Sequence, residues 1–259
     1  MTVSFKESLA SVPVVIVGGM PISVLDRDAA ARLMIAAARE HRRGDPPFFF
    51  TSANGEVIAR ASADGSIASL FHGADQILAD GQPLVLASRW LCRMGLPERV
   101  ATTDLFHDVA RLAAQSGETF YLFGATEDEN RRAAEVIAGR YPGLRIIGRS
   151  NGYLAAGELT SRLGEINELA PDILWLGLGV PREQTFVRDH AQLLPNVGVI
   201  KTAGGLFNHL SGRRRRAPLV IQKAGLEWMW RMMLEPRRLF WRYLTTNPRA
   251  FYVILRNSR

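Results

Sequence analysis

The sequence predicts an α/β protein: a Rossmann-like, largely parallel sheet flanked by helices, with a C-terminal helical appendage. Three observations carry this. Short apolar runs alternate with stretches of helical period, one strand passes through a glycine into a helix that opens on a capping box, and the chain changes character after Gly212. A run that is apolar on both faces suits a strand covered by helices on either side, and alternation of such runs with helices points to crossover connections.

In chain order, VVIV at 14–17 is the first candidate strand. DRDAAARLMIAAAREHRR at 26–43 has helical period and opens on Asp26 and Asp28. An Asp-x-Asp pair can hold a divalent ion, but acidic residues at a helix start also cap free N–H groups and favour the dipole, and the cap is the preferred reading. FFFTS at 48–52 is the next strand. Asp80 follows a short apolar run and precedes a helix, which places it at the carboxyl edge of the sheet, as a turn or N-cap aspartate or as a site residue. A helix over 103–117 leads to TFYLFG at 119–124, and Thr126 with Glu129 forms a capping box for a helix over 126–141. That junction aims backbone N–H groups at the edge where open α/β folds bind anionic ligands.

LRIIG at 144–148, DILWLG at 172–177 and VGVIKTAGG at 197–205 complete the strands. The last two run into the turns Gly177-Leu-Gly179-Val-Pro181 and Ala203-Gly204-Gly205. Such turns bring backbone close to a ligand or to a helix. The GxGxxG fingerprint is absent, which argues against a nucleotide-dependent oxidoreductase.

Composition narrows the classes further. With 47% hydrophobic and 22% charged residues, 259 residues suffice for a sizeable core. The single Cys92 forms no intrachain disulfide and fits a reducing cytoplasm, and the N-terminus lacks the apolar stretch of a secretory signal. The longest apolar candidate, 217–234, is interrupted by Lys223, Glu227 and Arg231, so a membrane would be met at its surface. The five histidines lack metal-ligand spacing, and no metal is predicted.

Charge is divided unevenly. Residues 213–259 hold twelve Lys/Arg against two Asp/Glu, a net +10, which leaves −3 on residues 1–212 out of the whole chain's +7. Residues 1–212 therefore read as the Rossmann-like body expected to carry catalysis. Residues 213–259 read as a basic, aromatic-rich appendage of three short helices cut by Pro236 and Pro248. Arginines interleaved with Trp228, Trp230, Trp241 and Phe240 describe helices that lie on an anionic bilayer, pack on the body, or meet a second copy in a homo-oligomer.

Several short motifs recur in order: Ala79-Asp80-Gly81, Leu96-Pro97-Glu98-Arg99-Val100, Asn151-Gly152-Tyr153, Gly204-Gly205-Leu-Phe207, Arg216-Ala217-Pro218, and Gly225-Leu226-Glu227-Trp228 followed by Glu235-Pro236-Arg237-Arg238. Together they resemble the WecG/TagA/CpsF glycosyltransferase family from about residue 14 to 255. The resemblance implies an inverting, metal-independent and cofactor-free transfer from a UDP-sugar donor to a polyprenyl-diphosphate-linked saccharide. It implies a peripheral protein at the cytoplasmic face of the plasma membrane, engaged in surface polysaccharide, teichoic acid linkage or exopolysaccharide synthesis, with no nucleic-acid partner.

Residue by residue, the resemblance implies Asp80 as general base. Thr51-Ser52-Ala53-Asn54 matches the family's Thr-x-Asn pocket, with Ser52 and Asn54 the best matches and Thr51 beside them. Pro181-Arg182-Glu183-Gln184 stands where the family has Pro-Lys-Gln-Glu, so Glu183 and Gln184 are both candidates to hold the sugar or uracil. Gly124, Gly179, Gly204 and Gly205 would surround the nucleotide, with Tyr153 nearby. Arg231 and Arg238 match arginines on the diphosphate, and a third falls on Trp241, with Arg242 adjacent. The Ser-Ala-Asn-Gly and Val-Pro-Arg-Glu-Gln variants are most similar to xanthan-type members that add glucose to a glucosyl-diphosphate lipid, with N-acetylmannosamine or its uronic acid as the alternative donor. From another class, a nucleic-acid-binding protein would use the basic tail, with affinity falling steeply with salt.

Overall fold

The computed structural model describes residues 5–155, 157–214, 216–223 and 225–259. In order the elements are α1 (Phe5–Ala10), β1 (Val14–Val17), β2 (Met20–Ser23), α2 (Arg27–Glu40), β3 (Phe48–Ala53), α3 (Gly55–Ala63), α4 (Gly65–His72), β4 (Gln76–Ala79), α5 (Gln82–Leu91), α6 (Thr102–Ser116), β5 (Thr119–Gly124) and α7 (Glu127–Arg140). There follow β6 (Arg145–Ser150), α8 (Glu158–Leu169), β7 (Ile173–Gly177), α9 (Arg182–His190), β8 (Val199–Thr202), α10 (Leu206–Leu210), α11 (Leu219–Lys223), α12 (Glu227–Leu234) and α13 (Pro236–Arg256).

Six strands form one parallel sheet in the order β4-β3-β8-β7-β5-β6, and helices cover both faces, as the doubly apolar runs require. On one face Phe106 of α6 packs edge-on against Trp175 of β7 at 4.8 Å, over a layer that includes Met34 and Ala37 of α2. On the other, Leu163 and Ile166 of α8 and Phe186 of α9 close over Tyr121 and Leu174.

VVIV does not join this sheet. It pairs antiparallel with β2 in a separate hairpin whose turn is Gly18-Gly19, at φ +59° and +81°. Two successive positive φ values are the geometry of a two-residue hairpin turn, which glycine adopts without strain. The hairpin is extended at the other end of the chain, where Arg259 exchanges backbone hydrogen bonds with Ile16.

Both predicted helix starts are present. Asp26 is the N-cap of α2 and accepts from Ala29 N at 2.7 Å, while Asp28 pairs with Arg32 at 2.7 Å. Thr126 and Glu129 form the reciprocal box that opens α7. Just before it, Gly124 has φ +143°, and a Cβ there would stand 2.2 Å from the Gly177 carbonyl oxygen. Gly124 is thus fixed by the close approach of β5 and β7.

The tail folds into three helices with different bounds from those expected. Pro236 opens α13 at its first turn, but Pro248 lies inside that helix, which continues to Arg256. The proline forfeits the hydrogen bond that the Leu244 carbonyl would have accepted. α13 lies along α3, with Val253 and Ile254 buried in the cluster that holds Val57, Ile58 and Leu84. Among the described residues no helix is long and apolar enough to cross a membrane.

Candidate active site

The carboxyl ends of β3, β4, β7 and β8 and the turns that follow them floor a cleft of about 1090 Å³; α3, α5 and the tail helices wall it. This is the edge at which open α/β sheets bind ligands. The volume lies just above the roughly 300–1,000 Å³ range of small-molecule sites.

Asp80 lies in this cleft, directly after β4. Its Oδ2 accepts the Thr102 N–H at 3.2 Å, and Thr102 is the first residue of α6, a helix without a side-chain cap of its own. The aspartate therefore caps a helix, but α6 rather than the α5 that follows it. Its Oδ1 meets Arg99 Nη2 at 3.4 Å, and Arg99 Nη1 donates to Glu227 Oε2 at 2.7 Å. One guanidinium thus links the first residue of α12 to the carboxylate.

Ser52 and Asn54 both line the cleft. Asn54 caps α3 through its Oδ1, which accepts from Val57 N at 3.1 Å. Ser52 Oγ lies 3.2 Å from Thr102 Oγ1 and accepts from Lys201 Nζ at 2.9 Å. Thr51 is fully buried beneath, its Oγ1 2.8 Å from Thr202 Oγ1 and accepting from Gln184 Nε2 at 3.1 Å.

Glu183 and Gln184, adjacent in sequence, are placed differently. Glu183 Oε1 accepts three backbone N–H groups, from Leu178 and Gly179 at 3.0 Å each and from Gly204 at 2.6 Å, so it ties the two glycine turns together. Gln184 props on Thr51 and keeps a buried Oε1 with no hydrogen-bond partner among the described residues. That oxygen is an acceptor held at the cleft.

Burial pushes the Glu183 carboxyl from 4.5 up to about 7 against the pull of its N–H donors. An acid raised in the fold contributes stability below its unfolded value, and that contribution is lost as pH rises through the folded value. Glu183→Gln keeps an Oε1 acceptor for all three N–H groups. Its melting temperature is therefore expected to gain on wild type between about pH 5 and pH 8, read by thermal denaturation across pH; parallel curves would contradict it.

Gly179, Gly204, Gly205 and Tyr153 line the cleft, with Tyr153 71% exposed at its rim, whereas Gly124 and Thr51 lie behind the lining. Of the two candidates for the third tail arginine, Arg242 faces the cleft, pairs with Glu56 at 3.3 Å and stacks over Tyr243, while Trp241 is 69% exposed. Arg231 and Arg238 belong to α12 and α13, and their side chains lie outside the described residues. The mouth of the cleft is apolar: Leu86 and Trp90 of α5 and Phe251 and Leu255 of α13 line it and are exposed, Trp90 at 85%.

Lys201, Thr102 and the Arg99–Glu227 link escape sequence reasoning about function. Arg99 and Glu227 each stand in one of the short motifs, with nothing there to pair them, and Lys201 stands out as a cation inside the otherwise apolar run VGVIKTA.

A cleft with the Asp80 carboxylate at the end of β4, N–H-bearing turns and an apolar mouth can bind an anionic group beside a hydroxyl. A model of a glycosyl transferase family, WecG/TagA/CpsF, matches residues 15–259. The chain is 28% identical over 209 residues to a Bacillus subtilis (strain 168) protein named N-acetylglucosaminyldiphosphoundecaprenol N-acetyl-beta-D-mannosaminyltransferase, covering 81% of this chain and 79% of that one. A Bacillus spizizenii protein of the same name is 29% identical, covering 82% and 80%, and one from Staphylococcus aureus (strain MRSA252) is 26% identical, covering 74% of each. The family match extends from β1 to the last residue and takes in both the sheet edge and the tail helices that wall the cleft: the chain belongs to the WecG/TagA/CpsF family of glycosyl transferases.

Proposed function

We propose that the protein transfers a hexose from a UDP-sugar to a saccharide carried on a polyprenyl diphosphate, with inversion and without a metal ion. The observation that carries this is the union in one cleft of the Asp80 carboxylate with an apolar mouth built from Leu86, Trp90, Phe251 and Leu255. A water-soluble acceptor has no use for such a mouth; a polyprenyl chain does.

In the proposed reaction Asp80 takes the proton of the acceptor hydroxyl as that oxygen attacks the anomeric carbon, and the bond to UDP breaks on the opposite side. The charge released on the diphosphate is met by N–H groups of the glycine turns and by guanidinium groups of the tail, Arg242 with Arg231 and Arg238. Gln184 takes the sugar- or uracil-holding role, because its buried Oε1 has no partner among the described residues, whereas Glu183 Oε1 is committed to the turns. Asp26 and Asp28 are occupied as helix cap and ion-pair partner, which supports the metal-free reading. The apolar mouth and basic tail support docking on an anionic membrane surface, in line with a lipid-borne acceptor.

Two donors are in question. The names of the three relatives favour N-acetylmannosaminyl transfer onto N-acetylglucosaminyl-diphospholipid, and this is the donor we propose. Glucosyl transfer, suggested by the Ser52-Ala53-Asn54 and Pro181-Arg182-Glu183-Gln184 variants, is the second reading. Incubation with UDP-N-acetylmannosamine or UDP-glucose, each with N-acetylglucosaminyl- and glucosyl-diphosphoprenyl acceptors and with or without EDTA, tests both. The expected product forms only with the first donor and its matching acceptor and is insensitive to EDTA; product from UDP-glucose alone reverses the donor choice, and no product from any pair removes the proposal.

A further inference from the structure

Lys201 of β8 is fully buried, in a strand whose other members are Val199, Ile200 and Thr202. Its ammonium is held by two neutral oxygens, Ser52 Oγ at 2.9 Å and the Thr202 carbonyl at 2.7 Å, rather than by a carboxylate. A buried cation held this way is costly, and an apolar side chain of the same length would be cheaper. Such a group is a candidate for function.

Its position is informative. Lys201 pairs in register with Phe50, two residues before Ser52 on the neighbouring strand, so ammonium and hydroxyl meet under the cleft floor. One lone pair of Ser52 is taken by the ammonium. The Ser52 proton is then left for Thr102 Oγ1, 3.2 Å away, or for a substrate oxygen in the cleft that Ser52 lines. Thr102 in turn gives its N–H to Asp80.

We infer that Lys201 is a positioning residue for transfer: from beneath the floor it holds the Ser52 hydroxyl as a donor toward the cleft and sets a fixed positive charge under the anionic substrate. This rests on the proposed function, in which a diphosphate donor lies beside Asp80. The charged groups that face Lys201 are Asp80, after β4, and Glu183, from α9; Arg99 lies against Asp80. Burial pulls the Lys201 ammonium down to about 8, against the attraction of those two carboxyls, so the charge is present at neutral pH and lost in mild alkali.

The test uses Lys201→Gln, which retains hydrogen bonding to Ser52 without the charge, and Lys201→Met, which removes both. UDP is the probe, titrated calorimetrically at about pH 7 and about pH 9, alongside kcat/KM over the same range and thermal denaturation. Both variants are expected to melt at or above wild type, since a buried charge is removed. Both should lose roughly 10- to 100-fold in kcat/KM at pH 7. UDP should bind wild type several-fold more weakly at the higher pH, by a margin absent from Lys201→Gln, and the alkaline fall in kcat/KM should flatten in both variants. Wild-type UDP affinity and pH profile in Lys201→Gln overturn the inference, whether or not Lys201→Met folds. If UDP binds wild type and Asp80→Asn is inactive, that failure concerns Lys201 alone; if UDP does not bind wild type at either pH, the donor reading fails and the inference with it.

Discussion

Asp80→Asn is expected to lower kcat by roughly 10²–10⁴ with little change in melting temperature or in UDP affinity. The substitution separates the two things Asp80 does. As a cap it accepts the Thr102 N–H at the start of α6, and asparagine caps a helix about as well as aspartate. Arg99 keeps its stronger contact to Glu227 when the charge on Asp80 is removed. What asparagine cannot do is accept the proton of an attacking hydroxyl. Equal melting curves with a collapsed kcat would therefore assign Asp80 to the chemistry, whereas near-wild-type turnover would leave it as the cap of α6 and move the base elsewhere. A fall in melting temperature that matches the loss of activity would assign it to the fold.

The sheet was legible because parallel strands buried on both faces leave apolar runs, as β3, β5 and β7 do; β8 keeps its run around Lys201, and the edge strand β6 shows only Ile146-Ile147 between arginines. The same rule misplaces VVIV. Four apolar residues fit a buried strand or a hairpin strand equally well, and the difference lay in the Gly18-Gly19 pair that follows. Pro248 misled for a different reason: an interior proline loses a helix bond and adds a ring clash, but Val253 and Ile254 beyond it are buried against α3, and that packing carries the helix past it. In the site, Asp80, Ser52 and Asn54 were placed together by motif, and all three line one cleft. Long-range partners were beyond reach. Lys201 meets Ser52 across 149 positions and Arg99 meets Glu227 across 128, and neither spacing carries a local signal. Glu183 and Gln184 could not be told apart in sequence because they sit on the same turn of α9; only the fold shows one tied to the turns and the other with an acceptor to spare.

A chain ended before Pro236 is expected to lose transfer altogether, beyond 10³-fold, and to be destabilised as well. α13 is both a wall of the site and part of the core. Leu239, Tyr243, Val253 and Ile254 are buried, and each such side chain contributes about 1.5–3 kcal/mol relative to exposure. Arg242 and Phe251 line the cleft from the same helix. The two contributions separate by substitution. Val253→Ala, at a buried position packed in the cluster of Val57 and Ile58 and outside the lining of the cleft, should cost about 1–3 kcal/mol in stability and leave kcat near wild type well below its melting temperature. Arg242→Ala removes an ion pair with Glu56 that is only partly buried, so it should barely move the melting temperature yet lower kcat by about 10- to 100-fold, if its guanidinium meets the departing diphosphate. A truncated chain that melts like wild type and still glycosylates a lipid-borne acceptor would show that the cleft is complete without its C-terminal wall. The reverse pattern, with Val253→Ala inactive while folded and Arg242→Ala fully active, would mean that α13 serves the site only by holding α3 in place.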